Sequence, residues 1–257
     1  MIKTDALLNK LAKRFPKRIA KKHHDFVGLM TGKKPEQVHK IFLCLDLDYE
    51  ILPKVKEEKP DMIITHHPFI YGTKYRVFKY SLLKKALCEE IDRLGIPVYS
   101  FHTNFDEGRG GMNDSLAERL GLINIYAPEK EPMMRIGELK EEMDVMAFAK
   151  FAKDRFNVDY SLLMNNGSNK IKKVGVIGGA GSRMFETAKE EGCDIFISGD
   201  APHHIRREIV NQNYNYLDMP HEIEKIFMEA MKKHLLAIDP TLEIIAIDHE
   251  KLPKVII

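Results

Sequence analysis

Ile63-Ile64-Thr65-His66-His67-Pro68 is the stretch on which the fold turns. Isoleucines running into two histidines and a proline describe a buried strand that delivers imidazoles to its open end. Open α/β sheets gather their ligands outside the carboxyl ends of the strands. Working outward, the same arrangement recurs. Ile96-Pro97-Val98-Tyr99-Ser100-Phe101 runs into His102-Thr103-Asn104-Phe105-Asp106, and Ile195-Phe196-Ile197-Ser198 into Gly199-Asp200 and then His203-His204. Tyr214-Asn215-Tyr216-Leu217 runs into Asp218-Met219-Pro220-His221-Glu222-Ile223-Glu224. Histidines that follow short apolar runs in company with carboxylates are distributed as a metal site requires, not as scattered surface residues.

Strand-like and helix-like segments alternate almost throughout, which predicts an α/β protein with mixed or mainly parallel sheets. Helices are expected over 5–15, 80–94, from Asn113 to Leu120, over 138–155, near 183–191, and from 202 and from 220. Strands are expected at Ile41–Leu45, Val98, Val174–Ile177, Ile195, Tyr214 and Leu242–Ile247. A faint internal echo relates Pro60–His67 to Cys193–Ser198. Two similar lobes facing a shared site would explain it, the first formed by 1–124 with 220–257 and the second by 125–219.

Forty basic and thirty-eight acidic side chains give a net charge of +2, so overall charge names no partner. The basic run Lys10, Lys13, Arg14, Lys17, Arg18, Lys21 and Lys22 is interleaved with Leu7, Leu8, Leu11, Phe15 and Ile19, as in an amphipathic helix with a solvated face. Nucleic-acid binding through it is not expected. Cys44, Cys88 and Cys193 form no paired motif and read as small core residues in a reducing compartment. The chain opens without an apolar leader and has no run long enough to cross a bilayer, so a cytoplasmic protein with no membrane partner is expected.

Imidazole and ionised carboxylate are ligands for borderline and hard divalent ions. In an extended strand the adjacent His66 and His67 would point to opposite faces, but where the strand ends the chain can turn and let them serve neighbouring ions. Asp106 offers a bridging carboxylate four residues after His102, and His221 and Glu224 share one face of a helical turn. Three imidazoles and two carboxylates suit a dinuclear centre better than a three-ligand zinc site. His102 would orient Asp106 or shuttle a proton. Asp200 and His204 could line the same pocket, or Asp200 could cap the helix near Pro202. Gly178-Gly179-Ala180-Gly181-Ser182 could hold an anion on its backbone N–H groups or simply pack a helix on a strand. Gly108-Arg109-Gly110-Gly111 could gate the site, with Arg109 meeting an anionic substrate, or only turn the chain.

These motifs together resemble the NGG-one-interacting-factor-three family of dinuclear-metal proteins, also called GTP cyclohydrolase 1 type 2 homologues. The resemblance runs over nearly the full length. Its carriers are Asp25–Leu29, Asp61–Pro68, His102–Asp106 with the following Gly-Gly-Met-Asn, Arg135–Leu139, Gly178–Gly181 and Ser198–Asp200 with His203-His204. It implies two α/β lobes around a dinuclear cleft, a ring-shaped homohexamer, and ligation of two divalent ions by His66, His67, Asp106, His221 and a following glutamate. Zinc, iron, manganese, nickel and cobalt all suit that donor set. The chain departs from the family pattern twice. The ligating glutamate usually stands four residues after the last histidine, where this chain has Lys225; Glu224 is expected to replace it, with Glu222 the runner-up. His24-Asp25-Phe26 also replaces the usual Trp-Asp-Asn. The function implied is metal-dependent hydrolysis of a nucleotide or related heterocycle. The alternative is a non-catalytic metal-homeostasis or partner-binding scaffold.

Overall fold

The structure, a computed structural model, describes residues 1–256. The chain forms two compact units, one made of Met1–Gly111 with Phe227–Glu250 and the other built on Met112–Ile226. In chain order the first contributes β1 (Ile2–Lys3), α1 (Thr4–Arg14), α2 (Lys17–Lys22), β2 (Gly28–Thr31), β3 (Gln37–Val38) and β4 (Lys40–Cys44). α3 (Leu52–Glu58), β5 (Met62–Thr65), α4 (Lys74–Tyr80), α5 (Leu82–Leu94), β6 (Val98–Ser100) and α6 (Thr103–Glu107) follow. The second unit holds α7 (Met112–Arg119), β7 (Ile123–Tyr126), β8 (Arg135–Asp144), α8 (Val145–Phe156), β9 (Leu162–Met164) and β10 (Lys170–Val176). It continues through a 3-10 turn at Ser182–Met184, α9 (Phe185–Glu190), β11 (Ile195–Gly199), α10 (His203–Asn211), β12 (Asn215–Met219) and a 3-10 turn at His221–Lys225. The chain then returns to the first unit as α11 (Ile226–Ile238) and β13 (Glu243–Ala246).

The first unit's sheet runs β13-β4-β5-β6-β2, parallel except for β2 at the edge. Ile41, Phe42, Leu43, Met62, Ile63 and Ile64 are fully buried. Such continuous apolar runs are what a parallel strand covered on both faces requires. Register decides the rest. Cys44 pairs with Thr65, and Thr65 with Ser100. The residues that follow these pairs, Asp46, His66 with His67, and His102, therefore leave one end of three adjacent strands.

The second unit's sheet runs β7-β8-β10-β11-β12-β9. Its centre, β10, β11 and β12, is parallel, while β8 and β9 are antiparallel to their neighbours. Val176 pairs with Ile197, and Gly199 with Met219, so Gly178-Gly179, Asp200 and His221 also emerge from one end. α7 and β7 lie in this unit. Buried Arg135 of β8 forms a fork to Asp114 of α7, with both N–H···O distances 2.9 Å, and also donates to the carbonyls of Pro132, Met133 and Met134.

One sequence expectation about these elements is corrected. Residues 138–155 are not one helix. Positions 138–144 continue β8, and the helix begins only at Val145, where Asp144 accepts from the N–H groups of Met146 and Ala147. Glu141 and Glu142 are exposed on the strand. Alternating charge on an exposed strand there imitates the spacing of a solvated helix face. The helix expected over 80–94 is α5, which opens at Leu82 where Ser81 caps it by accepting from the N–H of Lys84.

Candidate metal centre

β5 ends at Thr65, whose hydroxyl donates to the His67 carbonyl at 2.8 Å and lies 2.7 Å from the Ser100 hydroxyl. The turn these contacts fix overrides the strand alternation. The rings of His66 and His67 come to 5.0 Å between centroids, and His102 stands 5.2 Å from His66 and 5.7 Å from His67. One ligand atom from each of the three lies within 4.8 Å of the others. His66 is fully buried, flanked by the Phe227 ring, and its Nε2 is 3.5 Å from Oδ1 of Asp106 on α6.

Carboxylates stand behind the imidazoles. His67 Nδ1 is 2.6 Å from Asp46, and His102 Nδ1 is 2.8 Å from Asp25. The second unit repeats the device at 2.6 Å between His221 Nδ1 and Asp200. A carboxylate on Nδ1 fixes the tautomer and the ring plane and makes Nε2 the ligand nitrogen, an arrangement that metal-binding histidines use widely. Asp25 also accepts from the N–H and the hydroxyl of Thr103. Burial pushes its carboxyl up, but the bonds from His102 and Thr103 outweigh this and hold it at about 2. Asp46 is likewise raised by burial and brought below the ordinary carboxylate range by His67.

In the second unit, His221 Nε2 is 3.0 Å from Glu224, which is almost wholly buried, whereas Glu222 is half-buried. Both His221 and Glu224 stand on the 3-10 turn that opens where a helix was expected from 220. The glycine turn explains how the carboxylate fits. Gly178 donates to the Asn113 side chain and Gly181 to Ser198 Oγ, while the Gly179 carbonyl accepts from Gly199 and Ser198. A Cβ on Gly179 would stand 2.5 Å from Glu224 Oε1 and 3.2 Å from His221 Cε1, and one on Gly178 would be 3.2 Å from the same oxygen. The glycines therefore make room for the glutamate, with the N–H groups of Gly178 and Gly181 already bonded within the protein.

Not every expected residue joins these groups. His204 is exposed on α10, outside the hydrogen bonds around His221 among the described residues. Asp200, at φ +52, turns its carboxylate to His221 and does not cap α10, which has no side-chain cap. Arg109 lines a groove with Lys10, Lys13 and Arg14. Sequence reasoning missed Asp46 altogether and gave Asp25 no role. The available signal for Asp46 was its place just past β4, level with the ends of β5 and β6.

Parallel strand ends carrying carboxylate-backed imidazoles define an α/β protein with groups that could hold a metal ion. The chain belongs to the Duf34/NIF3 (NGG1p interacting factor 3) family, whose sequence model matches residues 2–253. It is 32% identical to the GTP cyclohydrolase 1 type 2 homolog of Clostridium perfringens over 78% of this chain and 79% of that protein. Among solved structures, a Bacillus cereus protein related to NIF3 superposes with a TM-score of 0.87 at 19% identity, covering 100% of this chain and 99% of that one. Reduced HcgD from Methanocaldococcus jannaschii gives 0.79 at 24% identity, covering 96% and 98%. The described residues contain no helix long and apolar enough to cross a membrane.

Proposed function

We propose that the chain binds two divalent ions through His66, His67 and Asp106 in the first unit and His221 and Glu224 in the second. We propose further that it uses them for hydrolysis of a nucleotide or related heterocycle, as the name of the Clostridium relative suggests. The observation that carries this reading is the carboxylate on Nδ1 of His67, His102 and His221. A surface histidine does not need its tautomer fixed, whereas a ligand does. The donor chemistry fits zinc, iron, manganese, nickel or cobalt. Such ions, when bound, polarise a substrate oxygen and lower the pKa of water. The chain's own residues do the positioning. Asp46 and Asp200 hold His67 and His221 in plane. Asp25 holds His102 so that its Nε2 can accept or return a proton beside His66 and His67. The setting proposed is a cytoplasmic homo-oligomer, expected to be a hexamer, and the exposed Tyr75, Tyr80, Leu82 and Leu83 of α4 and α5 supply an apolar face for self-association.

Elemental mass spectrometry on protein purified without chelator tests the reading. About two equivalents per chain are expected. His66→Ala and Glu224→Gln should each lower the content, and losing the same ion in both variants would mean one shared centre. No metal after reconstitution with several divalent ions would overturn the proposal. Metal without hydrolysis in a substrate screen would favour the scaffold reading.

A further inference from the structure

The first unit carries a groove of about 920 Å³ that none of the metal ligands lines. Its lining includes four cations, Lys17, Arg18 and Lys21 on α2 and Lys74 opening α4. Its apolar lining includes Phe26 and Leu29, each 41% exposed. Phe26 meets Tyr71 edge to face at 5.4 Å, and Tyr71 is itself 61% exposed, so a second accessible ring adjoins the lining.

The charge balance inside the groove is one-sided. Asp25 is the only acidic residue in the lining, and its carboxylate is taken up by His102, Thr103 and the Phe26 N–H. Lys74 is shared with Thr31 and Asp92, and nearby Lys22 pairs with Glu107. Lys17, Arg18 and Lys21 have no carboxylate partner among the described residues. Lys17 is also accommodated by the fold. Its ammonium lies 5.6 Å from the Tyr99 ring centroid, over Gly28, whose φ of +106 and missing Cβ leave the space that Nζ and Cε occupy. Three unpaired cations beside an exposed aromatic pair are the complement of a planar ring carrying a phosphate.

We infer that this groove binds a phosphorylated ligand with a planar ring, of mononucleotide chemistry, its phosphate held by Lys17, Arg18 and Lys21 and its ring set against Phe26 and Tyr71. Asp25, in the groove lining, is also the carboxylate that orients His102, so the ligand would bind next to the imidazole group of the same unit. The ligand's role as substrate rests on the hydrolase reading above, whereas its binding does not.

The test uses the full chain after chelator treatment, with adenosine 5′-monophosphate, adenosine and inorganic phosphate as probes in isothermal titration calorimetry. The monophosphate should bind saturably and at least about tenfold tighter than either fragment. The Lys17→Gln/Arg18→Gln/Lys21→Gln variant should lose about tenfold or more, and most of the salt dependence with it. Tyr71→Ala should weaken the monophosphate and leave inorganic phosphate unchanged. Lys130→Gln, far along the chain on an exposed loop, should match wild type. Adenosine binding as tightly as its monophosphate would overturn the inference. So would no saturable binding, or wild-type binding in a triple variant whose circular dichroism is unchanged. Because the metal is removed beforehand, these outcomes are independent of metal content, and failure here leaves the hydrolase reading to its own test.

Discussion

The two units place side chains at the ends of three parallel strands, yet they divide the work differently. In the first, each strand end contributes. β4 supplies Asp46, β5 supplies His66 and His67, β6 supplies His102, and Asp106 follows on α6. In the second, β12 alone leads to both candidate ligands, His221 and Glu224, on one 3-10 turn. The other two strand ends support that turn, β10 with the glycine turn under Glu224 and β11 with Asp200 behind His221. A group assembled from distant segments depends on sheet register. A group assembled on one turn depends on local shape.

The most damaging substitution for this contrast should be Arg135→Met. It removes the fork to Asp114 and the donor to the Pro132 and Met134 carbonyls, and should cost about 3–5 kcal/mol in chemical denaturation. Since Arg135 serves the second unit's scaffold, the His66 group should keep its metal when the variant is studied well below its midpoint. Loss of metal from both groups would break the contrast.

Gly179→Ala sharpens it next. A side chain at φ +60 is strained, and its Cβ would collide with Glu224, so about 2–3 kcal/mol should be lost. Gly192→Ala shares the positive φ, at +74, but meets nothing within 4 Å and should cost only about 1 kcal/mol. Equal losses in thermal melts would mean that the glycine turn does not shape the Glu224 site.

Asp46→Asn and Asp200→Asn remove the same kind of support from the two units. Each should weaken metal binding about 10- to 100-fold in competition with a chromogenic chelator. If only one matters, the carboxylate device is not equivalent in the two units.

Asp25→Asn should alter the acid limb of stability. The folded carboxyl is depressed to about 2, so its contribution is full above the unfolded value near 4 and disappears as pH falls towards 2. The variant should therefore lose stability relative to wild type at neutral pH and converge with it below about pH 2 in urea titrations. A constant difference across that window would contradict the role given to His102 and Thr103.

The smallest effect belongs to the cysteines, which are buried one in each of β4 and α5 and one before β11. Burial pushes the Cys193 thiol up to about 12 and Cys44 well above its ordinary value. Native protein at pH 8 should resist iodoacetamide, and unfolding should expose all three to alkylation detected by mass. Rapid native labelling would mean that one of the two cores opens.

The sequence makes the strand ends readable because a buried parallel strand is an apolar run with an abrupt stop. That stop located His66, His67, His102, Asp106 and His221. It also marks Asp46, but Leu45-Asp46-Leu47-Asp48 holds no histidine and looks like an ordinary strand exit. Only the pairing of Cys44 with Thr65 brings it level with His67. β8 was illegible for another reason. Glu138, Lys140, Glu141 and Glu142 favour helices intrinsically, and pairing with β10 overrides that preference. The glycine turn was recognised as a turn, but its purpose depends on Glu224, forty-five positions further on than Gly179.

The carboxylates on Nδ1 bear on when disorder is lost. A free imidazole samples ring flips and two tautomers, and a protein that organised its ligands around an arriving ion would pay that ordering free energy out of the binding. Here the rings of His67, His102 and His221 are fixed by hydrogen bonds between elements that the hydrophobic cores already hold. Ordering is completed as the chain folds. The metal-free protein should remain compact, and ion exchange should leave the backbone where it is.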